Sequence, residues 1–265
     1  MITSPGNARV KAVVNMRQKA KVRRAEDAFL TEGIKMFLEA PVERIREVYI
    51  SESFSCQDEK TRNAVMEKLK KVPYETVSSE VFGKLSDTCS PQGILCIMQA
   101  YHYELADMLK KENPLLLLLE DIQDPGNLGT MMRTGEGAGI DGVIMSRDTV
   151  DLYNPKTIRA TMGSVYRVPF FYTEDLHGVM EQLREKNIRV YAAHLKGECT
   201  YDDCDYTHGS AFLIGNEGNG LKKATADLAD TYMKIPMEGS VESLNAGIAA
   251  AVLMYEAARQ RRIQK

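Results

Sequence analysis

The chain has 265 residues, 44% hydrophobic and 27% charged, with a formal net charge of −3. That size and balance suit two ordinary globular domains and exclude a disordered or uniformly basic chain. No run approaches the roughly 18 apolar residues of a membrane span, and the opening MITSPGNARVK has no apolar signal core, so a cytoplasmic location is expected.

Val10, Val13, Val14 and Met16 recur at helical spacing, which predicts a helix over 7–20. Around it stand Arg9, Lys11, Arg17, Lys19, Lys21, Arg23 and Arg24, with no acid before Glu26. Such a run is either a solvated helix face or a local positive field suited to phosphate. A short apolar piece at 28–30 leads through Glu32-Gly33 into a helical pattern that Pro41 stops. Residues 46–50 and 74–77 read as strands, 58–71 and 79–85 as helices, and 93–100 as a buried strand. The alternation predicts a small α/β sandwich over 1–101, and the polar stretch 102–113 reads as a linker.

From 114 to 265 the alternation restarts. Leu115 to Leu119, closed by Glu120 and Asp121, is a buried strand in the making. Further strands are expected at 141–146, 168–172, 188–193, 210–215 and 231–235. Helices are expected near 127–138, 155–162, 174–187, 219–228 and 243–262. Short apolar strands between helices imply a parallel sheet covered on both faces, with ligands at the carboxyl ends of its strands.

Three loops follow such strands. In Asp124-Pro125-Gly126-Asn127-Leu128-Gly129 the proline and glycine force a turn, and Asn127 is expected to cap the next helix. Arg133 stands about one and a half turns further on, where a guanidinium would grip phosphate, unless it is a plain surface arginine. Gly215-Asn216-Glu217-Gly218-Asn219-Gly220 sets a carboxylate among glycines in G-x-x-G-x-G order, which is not the dinucleotide fingerprint. Gly135-Glu136-Gly137-Ala138-Gly139 closes a helix instead of opening one. In Ile235-Pro236-Met237-Glu238-Gly239-Ser240-Val241-Glu242-Ser243-Leu244-Asn245, Ser243 is a credible N-cap, and the small residues from Ala246 to Ala251 allow close packing. The odd total of five cysteines fits reduced thiols, and Cys199 and Cys204, flanked by His194 and His208, lack the spacing of a zinc site, so no metal is expected.

Together DPGNLGTMMRTGEGAG, FLIGNEGNGL and IPMEGSVESLNAGIAAAVLMYEAARQ closely resemble the three ordered motifs of the SpoU (TrmH) family of RNA ribose methyltransferases, in the SPOUT superfamily. The resemblance spans about residue 114 to the end. Thr31-Glu32-Gly33 and the run from Leu85 to Gly93 are similar to the family's ribosomal-protein L30e-like substrate-binding domain. The resemblance implies a trefoil knot in the C-terminal domain and a homodimer formed through it. It also implies S-adenosylmethionine held largely by backbone groups at Gly215, Ile235 and Leu244, with Ala193 and Met237 completing the set. Asn127, Arg133, Glu217, Ser243 and Asn245 fall on catalytic positions, and Gly247 stands where many relatives have serine. RNA would meet Arg9, Lys11, Lys19, Lys21, Arg23 and Arg24. Ribosomal RNA is favoured over transfer RNA by the accessory domain, and no membrane partner is implied. The competing expectations are a non-catalytic RNA-binding or ribosome-assembly protein and, more distantly, a dinucleotide-dependent enzyme.

Overall fold

Asn7 caps the first helix, α1 (Ala8–Gln18), through its side-chain oxygen, and Val10, Val13 and Met16 form its buried stripe. The helix stops short of 20. The backbone is extended at Lys19 and restarts as α2 (Ala20–Glu26), which ends on left-handed Asp27. The computed structural model describes every residue except Gln57, Glu198 and Lys265. It continues with β1 (Ala28–Glu32), α3 (Ile34–Glu39), β2 (Ile45–Ser51), α4 (Glu59–Leu69), β3 (Tyr74–Val77), α5 (Ser79–Leu85) and β4 (Ile94–Gln99). The strands lie in the order β1-β4-β2-β3, antiparallel apart from β2 with β3. The stripe of α1 and Val81, Phe82 and Leu85 of α5 bury one face of this sheet against Leu30, Tyr49 and Leu95.

Beyond it come α6 (Leu105–Met108), inside the expected linker, then β5 (Leu115–Leu119), α7 (Pro125–Ala138), β6 (Gly142–Ser146) and α8 (Pro155–Thr161). The chain finishes with β7 (Phe170–Thr173), α9 (Leu176–Glu185), β8 (Arg189–Ala193), β9 (Cys199–Thr200), β10 (Ser210–Ile214), α10 (Lys223–Ala226), β11 (Thr231–Lys234) and α11 (Ala246–Ile263). Seven strands in the order β7-β6-β5-β10-β8-β11-β9 pair in parallel throughout. All five leucines of β5 are buried, as a strand covered on both faces requires. Leu176, Val179, Met180 and Leu183 of α9 pack on one face with Leu116, Leu118 and Leu213. From β5 the strand order runs one way through β6 and β7 and the other through β10, β8 and β11, so its reversal lies between β5 and β10. Among the described residues no helix is long and apolar enough to cross a membrane.

The chain forms two compact units, Met1–Tyr101 with Asp151–Tyr166, and His102–Val150 with Arg167–Lys265. The sequence pattern placed 151–166 with the C-terminal domain, but its side chains complete the first unit. Tyr153 stacks on Phe29 at 4.3 Å and accepts a hydrogen bond from Tyr101 N at 2.7 Å. Tyr166 Oη donates to Met36 O at 3.1 Å. Asp151 binds Arg23, which is only 5% exposed; Nε and Nη2 donate to Asp151 Oδ2 at 3.0 and 2.6 Å, and Nη1 donates to Met16 O and Arg17 O. Arg23 therefore belongs to the interior, not to an RNA-facing surface as expected. Removing one partner of such a buried pair costs about 3–5 kcal/mol.

Candidate active site

The carboxyl ends of three neighbouring strands make one edge. Leu213 of β10 is in register with Ala192 of β8, and Ala193 with Met233 of β11, so Gly215, Ala193 and Ile235 follow one another along it. At Gly215 the returning loop comes so near that a Cβ would stand 2.4 Å from Gly220 C and Leu221 N. Only glycine permits this approach. Asn216, which the pattern left unassigned, shapes the turn: its Oδ1 accepts from Gly218 N and Asn219 N at 2.9 and 3.0 Å, and its Nδ2 donates to Asp121 O at 2.9 Å. An asparagine two residues before a glycine is the sequence signal for such a turn. This closed loop replaces the first part of the helix expected from 219, leaving only α10.

Glu217 ties this turn to the start of α7. Its Oε2 accepts from Gln123 N, and its Oε1 from Asp124 N and Asn127 Nδ2, each at 3.0 Å. Burial works to raise the carboxyl pKa, but the Asn127 amide and the two backbone N–H groups prevail and hold it below the usual range. The N-cap of α7 is Asp124, accepting from Asn127 N at 2.9 Å with Pro125 at the first helical position, so Asn127 is not the expected cap. Asn127 instead bridges the other loops: its Oδ1 accepts from Asn245 Nδ2 at 2.9 Å. Asn245, not Ser243, caps α11 by accepting from Gly247 N and Ile248 N at 2.9 and 3.3 Å. Beside it, a Cβ on Gly247 would meet Asn245 Oδ1 at 3.2 Å. Glu217, Asn127 and Asn245 thus form one polar chain across all three loops.

The sign of the Glu217 shift fixes a pH response. A lowered carboxyl contributes stability that is complete above the unfolded value, about 4.3, and is lost as pH falls through the lower folded value. Acidification through that lowered folded value is expected to release the Gln123 and Asp124 amides, seen as loss of their hydrogen-exchange protection. Protection that persists after Glu217 is protonated would contradict the linkage.

The strand-end edge can accept a ligand bound by backbone. Among the described residues, no amide of 237–244 donates a hydrogen bond within the chain, while the apolar side chains of Ile235, Met237 and Leu244 are half-buried. Main-chain groups without a partner in the chain, beside apolar side chains, suit a ligand that is part polar and part apolar. Ser243 is exposed in this loop. Arg133 is exposed and has no hydrogen-bond or ion-pair partner among the described residues. It lies about 9 Å along α7 from Asn127 and about 240° around it, so the two residues point from different faces.

In the first unit, Lys11, Lys19, Lys21 and Arg24 are exposed and unpaired among the described residues, whereas Arg9 is engaged by Glu47 and Glu75. The two stretches that suggested an accessory domain meet there: Glu32 accepts from Ser86 Oγ, Asp87 N and Thr88 Oγ1, and Gln92 Oε1 accepts from Ile34 N beside left-handed Gly33. Among the described residues no group of three or more His, Cys, Asp or Glu is placed to hold a metal ion.

Residues 114–255 match the SpoU rRNA Methylase family, and residues 7–96 match the MRM3-like substrate binding domain. The 23S rRNA (guanosine(2553)-2'-O)-methyltransferase of Bacillus subtilis is 31% identical over 96% of this chain and 97% of its own length. A 23S rRNA (guanosine-2'-O-)-methyltransferase of Neisseria meningitidis serogroup B is 31% identical over 82% of this chain and 88% of its own. The SpoU methyltransferase AviRb of Streptomyces viridochromogenes, solved with AdoMet, superposes with a TM-score of 0.86 at 25% identity, covering 97% and 98% of the two chains. An AdoMet-bound rRNA methyltransferase of Sinorhizobium meliloti gives 0.80 at 29% identity, with 97% of each chain covered.

Proposed function

The chain belongs to the SpoU rRNA Methylase family, and from that premise we propose that it transfers the methyl group of S-adenosylmethionine to a ribose 2′-hydroxyl of large-subunit ribosomal RNA. The observation that carries the site assignment is the polar chain Glu217–Asn127–Asn245, which draws three distant loops together beside the strand-end edge.

Bound S-adenosylmethionine supplies an electrophilic methyl on a sulfonium. Gly215, Ala193, Ile235, Met237 and Leu244 are the residues that hold it, through main-chain groups and apolar contact. Glu217 stays ionised and keeps the loops in place, Asn127 and Asn245 fix the floor between them, and Ser243 is exposed for contact with RNA. A ribose hydroxyl is a weak nucleophile, so the site must hold it close and stabilise the negative charge that grows on its oxygen. A guanidinium keeps its protons near neutral pH, so Arg133 acts by charge and hydrogen bonding: it grips the target phosphate and polarises the hydroxyl, while phosphate or water takes the proton.

Arg133 reaches such a site by pairing of two chains. Ile248 and Tyr255 of α11 are 49% and 47% exposed, and Tyr255 Oη lies 2.9 Å from where a Cβ of Gly137 would stand, on the outward side of α7 that carries Arg133. An apolar strip beside an unpaired cation suits an isologous interface in which each Arg133 serves the partner's loops. The trefoil knot and a cytoplasmic location, where ribosomal RNA is modified, belong to the same reading.

RNA is held by two surfaces: the exposed cations Lys11, Lys19, Lys21 and Arg24 supply phosphate affinity, and the rest of the substrate-binding domain selects the structural context. Reversing Lys19, Lys21 and Arg24 to glutamate is expected to weaken RNA binding at least about tenfold and to flatten its salt dependence by up to about three counterions, with S-adenosylmethionine affinity unchanged. Arg23 is left intact because it holds Asp151. Equal loss of both affinities in a salt titration and a cofactor titration would remove this division of labour. The function itself is tested by mapping 2′-O-methyl groups in ribosomal RNA from cells with and without the protein, followed by transfer with purified protein. One site should vanish and be restored in vitro; an unchanged map, with no transfer to ribosomal RNA, would refute the reading.

A further inference from the structure

In the second unit, Cys199 Sγ and Cys204 Sγ lie 3.3 Å apart, both half-buried. We propose that these two thiols are a redox-modification site, which a peroxide converts to an intrachain disulfide. A disulfide needs the sulfurs at about 2.05 Å, a gap that small side-chain rotations can close. The turn between them is already formed: Asp203 N donates to Thr200 O at 3.2 Å, and Thr200 Oγ1 donates to Asp203 Oδ2. Both ends are anchored. Cys199 is in register with Met233 of β11, while Gln260 Nε2 donates to Cys204 O and Gln260 Oε1 accepts from Tyr206 N, each at 2.9 Å. The sulfurs are therefore presented to one another at high effective concentration.

Among the described residues the other cysteines lack such a partner. Cys96 is enclosed in the first unit, where burial pushes its thiol up to about 12, and among the described residues neither Cys56 nor Cys89 contacts a second sulfur. Burial and the adjoining Cys199 push the Cys204 thiol up. One sulfur of the pair attacks one peroxide oxygen, the O–O bond breaks, and sulfenic acid and one water (or alcohol) form. The other sulfur then displaces the sulfenic hydroxyl, which leaves as water with that thiol's proton. Two thiols are oxidised by two electrons and one peroxide is reduced. The site stands on the edge strand beside β11, the strand that leads into Ile235.

The test treats the full chain with hydrogen peroxide near stoichiometry, then counts thiols after acid unfolding and maps the peptides. The thiol count should fall by two from five, with a mass loss of two hydrogens and a fragment linking Cys199 to Cys204. In either single serine variant of the pair, Cys199→Ser or Cys204→Ser, sulfenic acid on the remaining thiol should persist and be trapped by a dione reagent. Retention of all five thiols, a disulfide joining other cysteines, or the same loss of two thiols in the Cys199→Ser/Cys204→Ser double variant would overturn the proposal. The wild-type peptide map decides the question even where a variant folds poorly.

Discussion

Alanine at Arg133 is expected to lower kcat by at least about 100-fold while leaving S-adenosylmethionine affinity nearly unchanged, the size of effect that follows loss of one preorganised donor to a developing oxyanion. The residue is exposed and has no hydrogen-bond or ion-pair partner among the described residues, so its removal breaks no such interaction there and should leave folding unaffected. Lysine keeps the charge but not the planar fork, so Arg133→Lys should recover only a small part of the rate. Near-normal turnover of that variant would refute the bidentate grip on phosphate. Mixing subunits tests where the residue acts. If Arg133 serves the partner's loops, mixed dimers of Arg133→Ala and Asn127→Ala chains carry one intact site in two, and the mixture recovers roughly a quarter of wild-type activity. Recovery of nothing from proven mixed dimers would place Arg133 in its own chain's site.

The second large effect concerns Glu217. Glu217→Ala strips acceptors from two backbone amides and from Asn127 Nδ2 at once. Allowing for its exposure, this should cost about 1–2 kcal/mol of stability, seen as a lower thermal midpoint. Because Asn127 also accepts from Asn245, the third loop loosens too, and kcat/KM should fall by about 10- to 100-fold. Glutamine is no rescue: its amide nitrogen would face one of the N–H donors. Since the carboxyl sits below its ordinary range, the wild-type rate should show no limb from Glu217 between pH 5 and 9 (roughly the span free of an ionised carboxylate's titration). A Glu217→Ala variant with unaltered midpoint and full transfer would reduce the residue to a bystander.

Strong local patterns made most elements readable from sequence. Five consecutive leucines, the helical spacing of Val10, Val13 and Met16, and Pro125 with Gly139 bracketing α7 each state their structure locally. The three loops were visible as glycine- and proline-rich punctuation, and their order carried the family. What escaped were choices made by tertiary contact. Asp124 and Asn245 were overlooked as caps in favour of Asn127 and Ser243, because all four are competent cap residues and only the fold selects among them. Arg23 looked like one more cation in a basic run, and nothing nearby in sequence announces Asp151 as its partner. The two-residue β9 is too short to show any alternation.

The segment Asp151–Tyr166 limits how this protein can be divided. A fragment cut at residue 101 would lack the aromatic ring on Phe29 and the anion that neutralises Arg23. The complementary fragment would carry Ile158, Val165 and Tyr166 without the surface that shelters them. Exchanging the first unit for that of another protein must therefore carry two separate stretches of chain together.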